Sequence, residues 1–379
     1  MKPVVLAAYV RSPFTLANRG GLSHVRADDL AAQVIRGLMA KTGIEPGDVE
    51  DLIVGCAFPE AEQGLNVARL IGVLADLPVS VSGVTVNRFC GSSMQAIHMA
   101  AGAIQMNAGE VFICAGVESM TRVPIMGFNP MPNPALFERY PQAYISMGET
   151  AENVAAKYGL SRSEQDSFAE HSHQKTVAAQ IAGLLADEIV PIVTTAGTVN
   201  KDGCIRPETT LEKLAELKPA FDKNGTVTAG TSSPLTDGAS AVLVCTAEYA
   251  DRMGLEPLAM IKSIATHGCQ PALMGLGPIG ASKKALSRAG IGVKDLDVIE
   301  LNEAFAAQAL ANIRDLGLNT DKINLDGGAI AIGHPLGATG ARITGKLAQL
   351  LRRQSGRYGL ATQCIGGGQG IATVLEVVR

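Results

Sequence analysis

The sequence predicts an α/β protein made of two like-folded halves. Three observations lead there. Short apolar runs alternate with amphipathic stretches along most of the chain. A sixteen-residue string near the start returns, altered, in the last third. And 42 glycines in a chain that is 47% hydrophobic and 18% charged imply many tight turns and a large core rather than disorder.

In order, VVLAAYV (4–10) reads as a strand and Ala27 to Met39 as an amphipathic helix. DLIVGCA (51–57) is again strand-like and GLNVARLIGVLA (64–75) helical. VSGVTV (81–86) is a strand that runs into Cys90, after which Met94, Ile97, Ala101 and Ile104 recur at helical spacing. EVFICAG (110–116) follows as another strand. Such unbroken apolar strands suit a sheet covered on both faces. The repeat pairs GIEPGDVEDLIVGCAF, from Gly43, with GIGVKDLDVIELNEAF, from Gly290, a shift of 247 positions (290 − 43). Gly43/Gly290, Ile44/Ile291, Asp48/Asp295, Ala57/Ala304 and Phe58/Phe305 are identical. Nearly the same shift carries Cys90 to Leu336 and Gly337, where HPLGATGAR opens a helix, and EVFICAG to YGLATQCIG (358–366). The expected division is a first half at 1–120, a loop domain with return strands at 121–250, and a second half at 251–379.

At 379 residues the chain exceeds the usual size of a single-core domain. A net charge of −4 gives no reason to expect a nucleic-acid partner. Cys56, Cys90, Cys114, Cys204, Cys245, Cys269 and Cys364 are odd in number, widely spaced and without a CxxC pair, which supports neither a disulfide framework nor a zinc site. A reducing, cytoplasmic setting is expected. The opening MKPVVLAAYVRSPF reads as a strand rather than a signal peptide, and no apolar run has the length of a membrane span.

Four places carry chemistry. Cys90 follows a strand and precedes GSS at a helix start, where unpaired N–H groups and the helix dipole favour a thiolate; the plain alternative is a small buried hydrophobe. His334 lies among glycines and before Pro335, which biases it toward extended backbone; the alternative is a hydrogen-bonded loop histidine. Cys364 precedes IGGGQG, which is not a GxGxxG dinucleotide motif but offers backbone N–H donors to an oxyanion, or simply a turn. Asn302 ends strand DVIEL, where open α/β sheets place their sites, or caps the next helix. His171 and His173, two apart on a helix, make a poor metal pair.

Taken in order, NRFCGSSMQA, NEAFAAQ, GGAIAIGHPLGATGAR and CIGGGQG resemble the four active-site motifs of the thiolase family, and SMGETAENVA (146–155) and TVTAGTSSPLTDGA (226–239) also resemble thiolase segments. The resemblance spans essentially the whole chain. It implies the thiolase-like fold: two βαβαβαββ halves in a five-layered αβαβα arrangement with an inserted loop domain. It implies that Cys90 takes the acyl group from a thioester, that His334 is its base, and that Cys364 is the second acid/base. Asn302 would hold a water that, with His334, forms one oxyanion hole, and the N–H groups of Cys90 and Gly366 would form the other. Arg206, Ser233 and Met147 match coenzyme A and substrate contacts. No metal or redox cofactor is implied; coenzyme A is a substrate. The expected partners are acyl-CoA, CoA and a second copy of the chain, with a tetramer and a hydratase/dehydrogenase subunit as further options. The expected reaction is thiolytic cleavage of 3-ketoacyl-CoA, as in fatty acid β-oxidation, with a biosynthetic acetoacetyl-CoA thiolase as the alternative. Some thiolases carry histidine where this chain has Ser146, and its loop between nucleophile and MGETAEN is short. A papain-like Cys90–His334–Asn302 hydrolase would have no use for Cys364.

Overall fold

The computed structural model describes residues 2–378. Its first half runs β1 (Val4–Arg11), α1 (Ala27–Thr42), β2 (Asp51–Gly55), α2 (Val67–Leu74), β3 (Ser82–Val86), α3 (Ser92–Gln105) and β4 (Val111–Ser119). After a long excursion containing α4 (Met147–Tyr158) and α5 (Arg162–Ile181), β5 (Thr236–Thr246) returns to the same sheet. The second half runs β6 (Ala259–Gly268), α6 (Gly277–Ala289), β7 (Val298–Leu301), α7 (Ala306–Leu316), α8 (Thr339–Arg353), β8 (Tyr358–Ile365) and β9 (Gln369–Glu376).

The strand order is β3-β2-β4-β5-β1 in one half and β7-β8-β9-β6 in the other. The two are joined in the sheet through Val5↔Met260 and Leu6↔Ala259. The register proves the repeat. Asp51 pairs Phe112 in parallel, and Val298, 247 positions later, pairs Gly359, again 247 positions later. The counterpart of β3 has shrunk to a single bridge, Ile299↔Ile323.

Three apolar clusters account for the layers. Successive residues of a strand point to opposite faces, so along β4 Val111, Ile113, Ala115 and Val117 pack toward α1 and α2, while Phe112 and Cys114 face the middle layer. There α3 (Met94, Ile97, Ile104) and α8 (Ile343, Leu347) lie between the inner faces of both sheet halves. The outer face of the second half is covered by α6 and α7 through Ala281, Leu286 and Ala309. Every residue of β4 and β5 is buried, which is why β4 opens as an unbroken apolar run, while β5 takes Thr236, Asp237 and Ser240 into the interior with it. Gly159, in the left-handed region, splits the long helical stretch into α4 and α5. Ser146 caps α4 in a reciprocal pair with Glu149, which gives this residue a structural task of its own.

The middle-layer helix α8 also carries buried charge. Lys346 reaches Glu188 at 2.9 Å and Asp326 at 2.6 Å, and Arg11 pairs with Glu188 and Asp202. Burial alone would raise Glu188, yet Lys346 and Arg11 hold it down to about 2.

Candidate active site

Both middle-layer helices begin at the site. Asn87 to Gly91 make the turn between β3 and α3. Phe89 sits at φ +43°, a region that costs a non-glycine residue about 1–3 kcal/mol, and the turn holds Cys90 beside the β8–β9 hairpin. The Gln363 side chain donates to the Cys90 carbonyl at 2.7 Å, Arg88 donates to Gln369 at 2.9 Å, and Gly91 packs on Ile365. All three partners belong to the second half.

The cysteine is buried and, against expectation, its thiol is not acidic. Burial pushes it up to about 12; hydrogen bonds from the Gly366 and Cys90 backbone N–H groups pull the other way without prevailing. The thiolate expected from a helix N-terminus is thus overruled by desolvation, which penalises the charged form. The resting group is a thiol, and its ionisation needs a base.

His334 lies at the other middle-layer turn. It follows Gly333, whose φ of +110° only glycine adopts freely; a Cβ there would also meet Thr236 within 2.8 Å. His334 N–H donates to Thr236 Oγ1 at 3.1 Å. Its Nδ1 lies 2.7 Å from Thr339 Oγ1, and that hydroxyl donates its one proton to the Pro335 carbonyl at 3.0 Å. The network therefore assigns the proton to Nδ1 and leaves Nε2 as the acceptor. Asn302 Nδ2 approaches Nε2 at 3.4 Å. Burial first, and the Arg342 guanidinium second, pull the imidazole down to about 3, so it is neutral at rest.

Asn302 is fully buried at the end of β7 and does not cap the following helix, whose N-cap is Phe305. Its Oδ1 has no hydrogen-bond partner among the described residues. The adjacent Glu303 accepts from Ser172 Oγ at 2.6 Å, Asn324 Nδ2 at 2.7 Å and Ile330 N at 3.2 Å, and so ties the asparagine to the loop that leads to His334.

Cys364 is the penultimate residue of β8, two positions before the three-glycine loop of the hairpin, and is fully buried. Burial first, and the nearby Cys90 second, raise it well above the ordinary thiol value. Met147, at the start of α4, stands against Gly366: its sulfur lies 3.6 Å from where a Cβ of that glycine would sit. Ser233 donates its N–H to Ala304 O at 2.9 Å, bringing the TSSPL loop beside NEAF. Arg206 is exposed, with Nη2 3.3 Å from His173 Nε2.

Cys90, Gly366, Cys364 and Met147 thus meet at one hairpin, and Asn302 and His334 meet each other, while Ser233 and Arg206 lie on the flanking excursion. Sequence reasoning missed Thr339 and Gln363, which touch the His334 ring and the Cys90 carbonyl. Thr339 was signalled only by its place at the start of a helix five residues after His334.

The family description "Thiolase, N-terminal domain" matches residues 4–248 and "Thiolase, C-terminal domain" residues 255–377. A 3-ketoacyl-CoA thiolase of Bacillus subtilis is 46% identical, and one of Shewanella frigidimarina 50%, each over the whole of both chains. The crystal structure of human mitochondrial 3-ketoacyl-CoA thiolase superposes with a TM-score of 0.92 at 38% identity, covering 100% of this chain and 99% of that one. The same human enzyme in complex with CoA gives 0.91. Four motifs, a five-layered repeat and full-length similarity agree: this chain belongs to the thiolase family.

Proposed function

We propose that this chain is a degradative 3-ketoacyl-CoA thiolase that cleaves 3-ketoacyl-CoA with CoA through an acyl-Cys90 intermediate. The observation that carries the reading is the meeting of a buried thiol, two backbone N–H donors and a second cysteine at one hairpin, with a neutral imidazole held in a fixed tautomer. The relatives bearing the name 3-ketoacyl-CoA thiolase support the degradative direction over acetoacetyl-CoA synthesis.

In the first half-reaction, His334 Nε2 takes the Cys90 proton as the sulfur bonds to the C3 ketone carbon. The C3 oxyanion is received by the N–H groups of Cys90 and Gly366. The C2–C3 bond then breaks. The departing enolate of acetyl-CoA rests on His334 and a water held by Asn302, and takes its proton from Cys364. A thiol kept protonated by burial suits a strongly basic acceptor. In the second half, the Cys364 thiolate deprotonates CoA, whose sulfur attacks the acyl-Cys90 carbonyl. The shortened acyl-CoA leaves, and Cys90 regains its proton from His334. Arg206, Ser233 and Met147 are read as contacts of CoA and the acyl chain.

The outer edge of β3 ends the sheet, and Leu65, Val79 and Met106 stand 90%, 86% and 80% exposed on nearby segments of this half. An open edge with apolar neighbours is a pairing surface, and a homodimer is the assembly we infer. Light scattering should give twice the chain mass; four times would indicate the tetramer. Co-purification tests a hydratase/dehydrogenase partner. The seven free cysteines fit a cytoplasmic setting, and no helix among the described residues is long and apolar enough to cross a membrane. The decisive experiment is kcat/KM for thiolysis across 3-ketoacyl-CoA chain lengths from four carbons upward. A flat or rising series supports degradation; a sharp preference for acetoacetyl-CoA supports the biosynthetic alternative.

A further inference from the structure

Carrying the 247-position shift through the site defines a twin location in the first half. Gly337 stands at the counterpart of Cys90, Gly55 at that of Asn302, Val117 at that of Cys364, and Glu118 at that of Ile365. The twin has no room for a nucleophile, because a Cβ on Gly337 would come within 2.6 Å of Val117 O and 2.8 Å of Gly55 O. It holds a carboxylate instead. Glu118 is fully buried at the end of β4. It accepts from Gly337 N at 2.9 Å, Ala57 N at 2.8 Å, Phe58 N at 3.3 Å and Gln63 Nε2 at 2.9 Å. None of these donors is a cation. The Gly337 N–H is the repeat counterpart of the Cys90 N–H that points at the nucleophilic sulfur.

We propose that Glu118 is a positioning residue for the reaction: its carboxylate fills the anion position of the vestigial twin site and, through Gly337, fixes the turn that aims His334. This rests on the reading of His334 as the base. The geometry favours a carboxylate over any neutral group, since only an ionised acid accepts at both oxygens with no donor of its own to misdirect. Burial raises Glu118 and its four N–H donors oppose the rise; the titratable groups facing it are Cys56, 3.8 Å away, and more distantly Cys90. The flanks of the turn are held separately, by Thr236 to His334 N and by Ser240 to Ala338 O. Loss of Glu118 therefore loosens the turn rather than unfolding it.

The test is Glu118→Gln, made in wild type and in His334→Asn, with single-turnover acylation by a 3-ketoacyl-CoA as the readout. In wild type the acylation rate should fall at least about tenfold, as outer-shell removals do, with KM unchanged within about twofold. In His334→Asn the same change should have no further effect, because Glu118 acts through His334. A wild-type rate in Glu118→Gln, or an equal loss in both backgrounds, would overturn the inference. If Glu118→Gln does not fold, Gln63→Met removes one donor to the carboxylate, and an unchanged acylation rate there would overturn it equally. Absence of acylation in the unsubstituted enzyme would instead reject the thiolase reading itself.

Discussion

The two helix-opening turns of the middle layer descend from one pattern and have opposite chemistry. Around Cys90, the first half offers a thiol and the second half supplies Cys364, Gly366 and the amide of Gln363 that holds the cysteine backbone. Around Gly337, the second half offers only backbone, and the first half supplies Glu118, Thr236 and Ser240. Each half thus clamps the other's turn. Ser93 adds to this by accepting from Ala341 N at 2.8 Å where α3 and α8 meet. The difference teaches how a symmetric scaffold makes an asymmetric site: one turn keeps a thiol, while the other loses its side chain, closes on its neighbour and carries the histidine three residues earlier.

Substitutions at the twin positions should break the symmetry in opposite senses. The largest effect is expected for Cys90→Ala, which should abolish turnover by at least about 10³-fold while leaving the fold intact; thiolysis rates and thermal melting check both parts. His334→Asn should lower single-turnover acylation by about 10²–10⁴-fold. Thr339→Val, which leaves Nδ1 without its acceptor, should cost about 10–100-fold in kcat with little change in KM. Gly337→Ala should lower stability and acylation together, since its Cβ has no space against Val117 O and Cys56 Cα and must displace the turn that carries His334; a loss of about 1–3 kcal/mol is expected in urea unfolding. For comparison, Lys346→Met, remote from the twin turns, leaves Glu188 to Arg11 alone and Asp326 to Arg353 alone and should cost about 1–3 kcal/mol in urea unfolding.

The resting protonation state gives a pH signature. With the Cys90 thiol raised to about 12 and His334 lowered to about 3, the free enzyme carries a neutral thiol–imidazole pair across the neutral range. Alkylation of Cys90 by iodoacetamide should therefore climb steadily into the alkaline range. A plateau reached below pH 7 would show a thiolate–imidazolium pair instead.

The repeat was legible in the sequence because five identities and the order of strand, turn and helix share one shift, and the ladder register reproduces that shift residue for residue. Cys90, His334, Cys364 and Asn302 were legible as a set and ambiguous singly. Burial of the thiol was read only as the alternative to a thiolate at a helix start, and burial is what raises the group. The mounts were not legible, because Glu118, Gln363 and Thr339 act through partners up to 273 positions away. Glu118 left one trace: an acid two residues past the run EVFICAG.

The destination of the acyl group tests the Cys90 nucleophile most directly. Wild-type enzyme mixed with a 3-ketoacyl-CoA in the absence of CoA, quenched and digested, should yield one acyl adduct per chain, on the peptide containing Cys90, with acetyl-CoA released in equal amount. An adduct on Cys364, or none with acetyl-CoA still released, would contradict it.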